Sequence, residues 1–276
     1  MEHMFITNNV DVAQILEKNK VERIWIDLET LGKEERQGHI DSVKSKHSLE
    51  DIKKLRPYVK NSKLQVRINP INEGSKDEIE KAILYGADYI MLPMFTTKEE
   101  VQFFIDCVNK RCKTILLFET SLAVENIFDI LSVEGIDEVH IGLNDLHLCY
   151  KKKFMFELFV DGTVEKLCKI FRERKIPFGI GGVSKIGFGT LPADIILGEH
   201  KRLGSSRVIL SRSFCRADLL PLNEVEEIFS KEYKNIKDFE KMLESKDEIY
   251  FKDNRIKMEE KIKEILAVME ENNGTK

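Results

Sequence analysis

Glu119 closes the apolar run TILLFE (114–119), and Asp145 follows the run EVHIGL (138–143) by two residues. A buried carboxylate without a partner is costly. An apolar strand that ends on Glu119 must therefore deliver it to solvent or to something positive. If the two runs are successive parallel strands, their carboxylates are neighbours at one end of the sheet. Adjacent carboxylates raise each other's pKa unless a cation joins them. A small set of hard oxygens with positions left open suits Mg²⁺ or Mn²⁺ better than zinc, and no His cluster shows ligand spacing. Arg67, in LQVRIN (64–69), supplies the rival reading, an ion pair with Glu119. Spacing alone leaves both open. Strand alternation puts Arg67 on the face opposite Val66 and Ile68. If those two pack under helices, Arg67 points into the centre of the fold, where a guanidinium needs an anion.

A third stretch, FGIGGVSKIGFG (178–189), is rich in glycine. Glycines after a strand let the backbone approach a phosphate or carboxylate, and they equally make a tight turn. Both readings stand, and Lys185 is the side chain there best placed to meet an anion.

The elements that must position these groups recur along the chain. Strand-like runs are VERIWIDL (21–28), LQVRIN (64–69), DYIMLPM (88–94), TILLFE (114–119), EVHIGL (138–143), IPFGIG (176–181), ADIILG (193–198) and RVILS (207–211). Each is short and apolar, as strands covered on both faces are. Between most of them lie stretches of helical period, with caps expected at Ser48, at Ser75, at Thr97 or Thr96, and near Asp161. Strand–helix alternation implies parallel pairing. Eight strand candidates, the middle ones recurring about every 25 residues, predict a (β/α)₈ TIM barrel. An open doubly wound sheet is the alternative, and no GxGxxG follows the first run to support it. The barrel is expected over residues 1–220, with its chemistry at the strand ends. Residues 221–276 read as charged C-terminal helices with an apolar stripe (Ile256, Ile262, Ile265, Leu266) that covers the barrel or packs on another subunit.

Composition narrows the function. The 276 residues carry 44 basic and 48 acidic side chains, a net charge of −4. That balance gives no electrostatic case for nucleic acid or an anionic membrane. The N-terminus has no signal-type apolar core and no run reaches membrane-spanning length, so a cytoplasmic protein is expected. Cysteines 107, 112, 149, 168 and 215 form no CxxC pair and read as reduced thiols.

The residues around the two carboxylates also resemble a known family. LLFETSLAVENIFDILSVEGIDEVHIGLNDL (116–146) is similar to the metal-binding stretch of the HpcH/HpaI aldolase–citrate lyase β-subunit family: a strand ending E-T, then A-V-x-N, then I-G-x-N-D-L. VRINP, GADYIMLPMFTTKEEV and IWIDLE resemble that family's arginine strand, its G-A-D-x-I-M-L-P segment and its first strand. The resemblance spans about residues 20–215. It implies a pyruvate- or enolate-handling barrel of the phosphoenolpyruvate/pyruvate-binding type. Glu119 and Asp145 would hold Mg²⁺ or Mn²⁺, Arg67 would meet the enolate oxygen, and the backbone from Gly142 through Asn144 to Asp145 would help seat a carboxylate. The activity implied is a metal-dependent carbon–carbon lyase or aldolase acting on a 2-oxo acid or related small carboxylate, in a homo-oligomer. The alternatives are a citrate-lyase-type enzyme for an acyl-thioester and a barrel that binds a metabolite without cleaving it. The departures are specific. The family's aldolases end their first strand D-G-E-H, with the His in proton transfer; this chain reads D-L-E-T, with Thr30 in that place. DLETLGKEERQ is closer to the citrate-lyase branch, with Lys33 and Arg36 nearby. Among His39, His47, His147 and His200, His147 is the first candidate for the missing base because it follows Asp145. His47 is the second, because the segment after IWIDLE can fold over the mouth.

Overall fold

The computed structural model describes residues 1–32 and 46–274, with side chains given through residue 271. Eight strands close into one barrel in chain order: β1 (Glu2–Ile6), β2 (Arg23–Asp27), β3 (Lys63–Arg67), β4 (Tyr89–Leu92), β5 (Lys113–Phe118), β6 (Glu138–Ile141), β7 (Phe178–Val183) and β8 (Arg207–Leu210). Every neighbouring pair is parallel, and β1 pairs with β8. The helices are α1 (Val10–Lys18), α2 (Leu49–Leu55), α3 (Ser75–Leu84), α4 (Lys98–Val108), α5 (Ser121–Glu125), α6 (Ile127–Ile130), α7 (Leu143–Cys149), α8 (Glu157–Val160), α9 (Thr163–Glu173), α10 (Ala193–Leu203), α11 (Leu222–Glu244) and α12 (Glu248–Gly274). This is the expected TIM barrel with C-terminal helices.

Strand alternation separates two cores. Outward residues such as Val66, Ile68, Leu116 and Phe118 pack under the helices. Inward residues Met4, Trp25, Met91, Ile115 and Leu117 fill the barrel. The register climbs about one residue per strand, the stagger of a closed eight-stranded barrel. It sorts the inward side chains into layers. At the amino end Arg23, Glu138 and Arg207 form a buried ionic layer: Arg23 Nη1–H donates to Glu138 Oε2 at 2.7 Å, and Arg207 Nη2–H donates to Glu138 Oε1 at 2.9 Å. The apolar layers lie above it. The carboxyl end, where Asp27, Arg67 and Glu119 emerge, is the mouth.

Several caps match their sequence signals. Ser48 with Asp51 and Thr97 with Glu100 form capping boxes that start α2 and α4. Ser75 is instead the first helical residue of α3, and its Oγ accepts from Asn72 N–H at 2.8 Å.

Two elements differ from the sequence reading. ADIILG is not a strand but the start of α10, whose Ala193, Ile196, Leu197, Gly198, Glu199 and His200 are all buried. The helix is covered on its outer side as well as its inner one. Asn254 of α12 fits into the notch at Gly198, where a Cβ would lie 2.5 Å from Asn254 Nδ2, and donates to Ile195 O at 3.0 Å. A short run buried all round carries no helical period, so it reads as a strand. The eighth strand is Glu2–Ile6, only five residues long and opening on Glu and His. Its His3 is fully buried against α11, with Nδ1 3.3 Å from Tyr233 Oη and Nε2 2.9 Å from Glu240 Oε1. Helix α11 thus follows β8 as the last helix of the shell. In α12, Met258, Ile262 and Ile265 are buried and Leu266 is partly so, while Ile256 faces outward at 52% exposure.

Candidate active site

The mouth is built from the carboxyl ends of β2 to β6. Asp27 ends β2 and Arg67 ends β3, and they are register partners. Arg67 Nε–H and Nη2–H donate to the two Asp27 oxygens, each at 2.8 Å, and Nη1 lies 3.2 Å from Glu29 Oε2. The guanidinium carbon stands 5.3 Å over the Trp25 ring. Arg67 therefore faces inward, as alternation requires. Burial works against its charge, but Asp27, Glu29 and Glu119 outweigh that and hold it above its ordinary value. Of the two readings left open for Glu119, the direct ion pair with Arg67 is not the one formed. The fork is filled by Asp27 and Glu29, and Glu119 acts on Arg67 from further off. The physical reason is proximity: strand pairing sets Asp27 beside Arg67, whereas Glu119 lies two strands on.

Glu119 follows the last residue of β5 and is 2% exposed. Its Oε1 accepts from Met94 N–H at 3.1 Å. Met94 has φ 54°, a left-handed conformation that costs a non-glycine residue energy and is common at functional sites. Burial pushes the Glu119 carboxyl well above the usual carboxylate range; the charges of Glu29 and Asp145 add to this, and Arg67 and the Met94 N–H oppose it. Space for this carboxylate exists because residue 142 is glycine. A Cβ there would lie 2.8 Å from both Glu119 Cβ and Oε2. Asp145 sits in the first turn of α7, 5% exposed and close enough to Glu119 for their charges to interact. Asn144 beside it is exposed.

Among the described residues no group of three His, Cys, Asp or Glu side chains forms a metal cage. Two neighbouring carboxylates, one burdened by burial and like charge, are nonetheless what a hard divalent ion uses when waters or substrate complete its shell. The donor set fits Mg²⁺ or Mn²⁺.

The histidines separate clearly. His47 accepts the Asp27 N–H at its Nδ1, 3.0 Å away, so its neutral ring carries the proton on Nε2 and sits against the end of β2. His147 donates from Nδ1 to Leu143 O in its own helix at 3.1 Å. It is two residues from Asp145, and such positions on a helix do not face each other. His200 is fully buried on α10 with Nδ1 3.0 Å from Ser205 Oγ, and burial lowers its pKa to about 3. His39, Lys33 and Arg36 lie outside the described residues. Lys185, in the segment after β7, stands 4.3 Å over the Phe188 ring.

Asp27, Glu29, Met94 and His140 belong to the site or support it; the sequence placed the first two at a strand end in D-L-E-T without a role, and did not single out the other two. The D-x-E spacing was the available signal for the first two, since alternate residues of a strand share a face. His140 faces into the barrel two residues before Gly142. It explains the glycines of β7: a Cβ at Gly179 would fall 2.4 Å from His140 Nδ1, and Nε2–H donates to Gly181 O at 3.2 Å. Burial lowers its pKa from 6.5 to about 3. At least part of the glycine run is therefore space for a neighbouring ring. Two surface clefts, about 390 Å³ between α1 and α11 and about 220 Å³ near Met1 and Ser206, lie away from the mouth.

Three solved structures share the fold. An HpcH/HpaI aldolase from Desulfitobacterium hafniense DCB-2 is 17% identical, with a TM-score of 0.61 over 85% of this chain and 92% of that one. An HpcH/HpaI aldolase/citrate lyase family protein from Burkholderia cenocepacia J2315 is 13% identical, with a TM-score of 0.61 over 81% and 93%. Citrate synthase SbnG is 15% identical, with a TM-score of 0.58 over 86% and 92%. A search of curated proteins finds no match. The HpcH/HpaI aldolase/citrate lyase family model matches residues 41–154, the stretch that holds Arg67, Glu119, Gly142 and Asp145. Over that stretch the chain is similar to the HpcH/HpaI aldolase/citrate lyase family, and its eight strands close around it in the fold of the three structures.

Proposed function

We propose that this barrel is a divalent-metal-dependent carbon–carbon lyase acting on a 2-oxo acid or a related small carboxylate. The observation that carries the reading is the pairing, at one mouth, of an inward Arg67 with a Glu119 carboxyl whose neighbours include Asp145. Glu119 and Asp145 would hold Mg²⁺ or Mn²⁺, which when bound supplies charge to the substrate's keto oxygen. Arg67 adds a guanidinium fixed in orientation by Asp27 and Glu29, which costs no reorganisation as negative charge develops. The Asp27 fork takes Nε and Nη2 and Glu29 faces Nη1, so a substrate oxygen would share Nη1 with Glu29. Gly142 and Asn144, at the start of α7, would line the side where a carboxylate sits, and Lys185 would offer a positive charge from the segment after β7. His47 is the better placed of the two proposed bases, because its ring is anchored at Asp27. To act as base it would release the Asp27 N–H and carry its proton on Nδ1, so that Nε2 takes the substrate hydroxyl's proton and the resulting imidazolium returns it to the enolate carbon.

One observation favours the non-cleaving reading. Arg67 already meets two carboxylates, and Thr30, where related aldolases have a base, turns its hydroxyl to Asn69 Oδ1 at 3.4 Å. Mn²⁺ titration by calorimetry tests the site. Affinity should fall on the order of tenfold or more in both Glu119→Gln and Asp145→Asn, because a charged hard ligand becomes neutral. Unchanged affinity in both removes the metal from the proposal. A cytoplasmic homo-oligomer is part of the same reading. No helix among the described residues is long and apolar enough to cross a membrane, and Ile249, Ile256 and Val268 leave apolar surface on α12.

A further inference from the structure

We infer that Asn69 is a positioning residue: together with Glu78 it latches the segment after β2 and so holds Glu29 against Arg67. The inference rests on the lyase reading of the mouth for its kinetic consequence, and on hydrogen bonds alone for the latch itself.

Asn69 lies two residues beyond Arg67, just past the end of β3. Its Oδ1 accepts from Thr30 N–H at 2.9 Å, from Leu31 N–H at 3.1 Å and from Thr30 Oγ1 at 3.4 Å. On its other side Nδ2–H donates to Glu78 Oε1 at 2.7 Å, and its backbone N–H donates to Glu78 Oε2 at 3.0 Å. Donors on one side and a carboxylate on the other leave one amide orientation that satisfies every group. Glu78 stands in the first turn of α3, so the latch is anchored on a helix of the shell and not on another loop. Burial raises the Glu78 carboxyl's pKa, and Asn69's two donors oppose that.

The latched segment is short. At its start Leu28 N–H donates to Arg67 O at 2.9 Å, and Glu29 N–H donates to Asp27 Oδ1 at 3.3 Å. At its end Thr30 and Leu31 are tied to Asn69. Glu29 lies between the two ties, 2% exposed, with Oε2 3.2 Å from Arg67 Nη1. Releasing the far tie lets Glu29 withdraw, which unpairs one edge of the guanidinium and changes the charge that Glu119 feels. Thr30 has a role in the same terms: it anchors the segment where related chains place a base.

An exchange of donor and acceptor tests this. Asn69→Asp keeps the size and the acceptor toward Thr30 and Leu31 but sets a second carboxylate against Glu78. Asn69→Asp/Glu78→Gln restores every bond with roles reversed: the new amide donates to the new carboxylate, and its carbonyl accepts the backbone N–H. Amide exchange at Thr30 and Leu31 should rise on the order of tenfold in the single variant and return in the double. The Arg67 Nε–H resonance should shift in the single and recover in the double. The kcat for a 2-oxo acid should fall on the order of tenfold, with KM little changed, and recover likewise. Glu78→Gln alone removes one acceptor and almost no volume, and should give the same shifts in milder form if Asn69→Asp does not fold. Unchanged amide exchange in these variants overturns the latch. Faster exchange with an unmoved Arg67 resonance overturns the positioning role. A chain that cleaves no 2-oxo acid refutes the lyase reading instead, and the exchange and Arg67 readings still decide the latch.

Discussion

Arg67→Lys separates charge from geometry at the mouth. The native guanidinium makes two bonds of 2.8 Å to Asp27 and a contact of 3.2 Å to Glu29, and its side chain is 12% exposed. A lysine ammonium keeps the charge but offers no planar fork, so it can face Asp27 or Glu29 well, not both in the native arrangement. At least one charge-assisted bond is lost, at about 1.5–3 kcal/mol for each. The remaining positive charge prevents the larger penalty of a buried pair stripped of one partner. The expected loss of stability is about 2–3 kcal/mol, which for a chain of this size lowers Tm by roughly 4–12 °C. The chemistry should suffer more selectively. A donor displaced from the developing negative charge should lower kcat on the order of tenfold or more, equivalent to about 1.4 kcal/mol of transition-state stabilisation. The assay is steady-state turnover of a 2-oxo acid beside thermal melting of the same preparation. Native turnover in the folded variant would remove Arg67 from the chemistry and leave it as a partner of Asp27 and Glu29. Native stability would show that the fork is not what holds those carboxylates.

Other outcomes follow from the same geometry. Gly142→Ala puts a methyl 2.8 Å from Glu119 Cβ and Oε2, so Mn²⁺ affinity should fall on the order of tenfold while circular dichroism stays native; unchanged affinity would mean Glu119 is not a ligand. His140 is buried with its pKa lowered from 6.5 to about 3, so below pH 6.5 the unfolded chain binds a proton that the native one refuses. Its contribution to stability is full above pH 6.5 and is lost as pH falls, by about 2 kcal/mol between pH 7 and 5. Urea unfolding should therefore show His140→Gln losing about that much less than the parent over the same interval; equal losses would mean the ring is solvated. Truncation before Lys252 removes the buried Asn254, Met258 and Ile262 together with the outward Ile256 and Val268. Light scattering should then show a smaller assembly than the full chain, and a parent that is already monomeric would reject the oligomer.

Much of the architecture was legible because parallel strands buried on both faces leave apolar runs that stand out against charged helices. Seven strands, the inward face of Arg67 and the neighbouring carboxylates follow from period and order alone. What escaped is physically intelligible. A five-residue first strand beginning Glu-His carries too little pattern, and its burial depends on α11, more than 200 residues away. Residues 193–198 look like a strand because α12 covers the far side of α10. The true partners of Arg67 depend on barrel register, which no linear spacing encodes. The β7 glycines have a cause, the His140 ring, on a different strand.

The most direct test of the central claim is pyruvate release from a 4-hydroxy-2-oxo acid with Mn²⁺ present, followed by a coupled hydride assay. The account predicts release that is abolished by a chelator and falls on the order of tenfold or more in Glu119→Gln and in Arg67→Lys. Tight binding of the acid without release, or release that neither substitution alters, would contradict it.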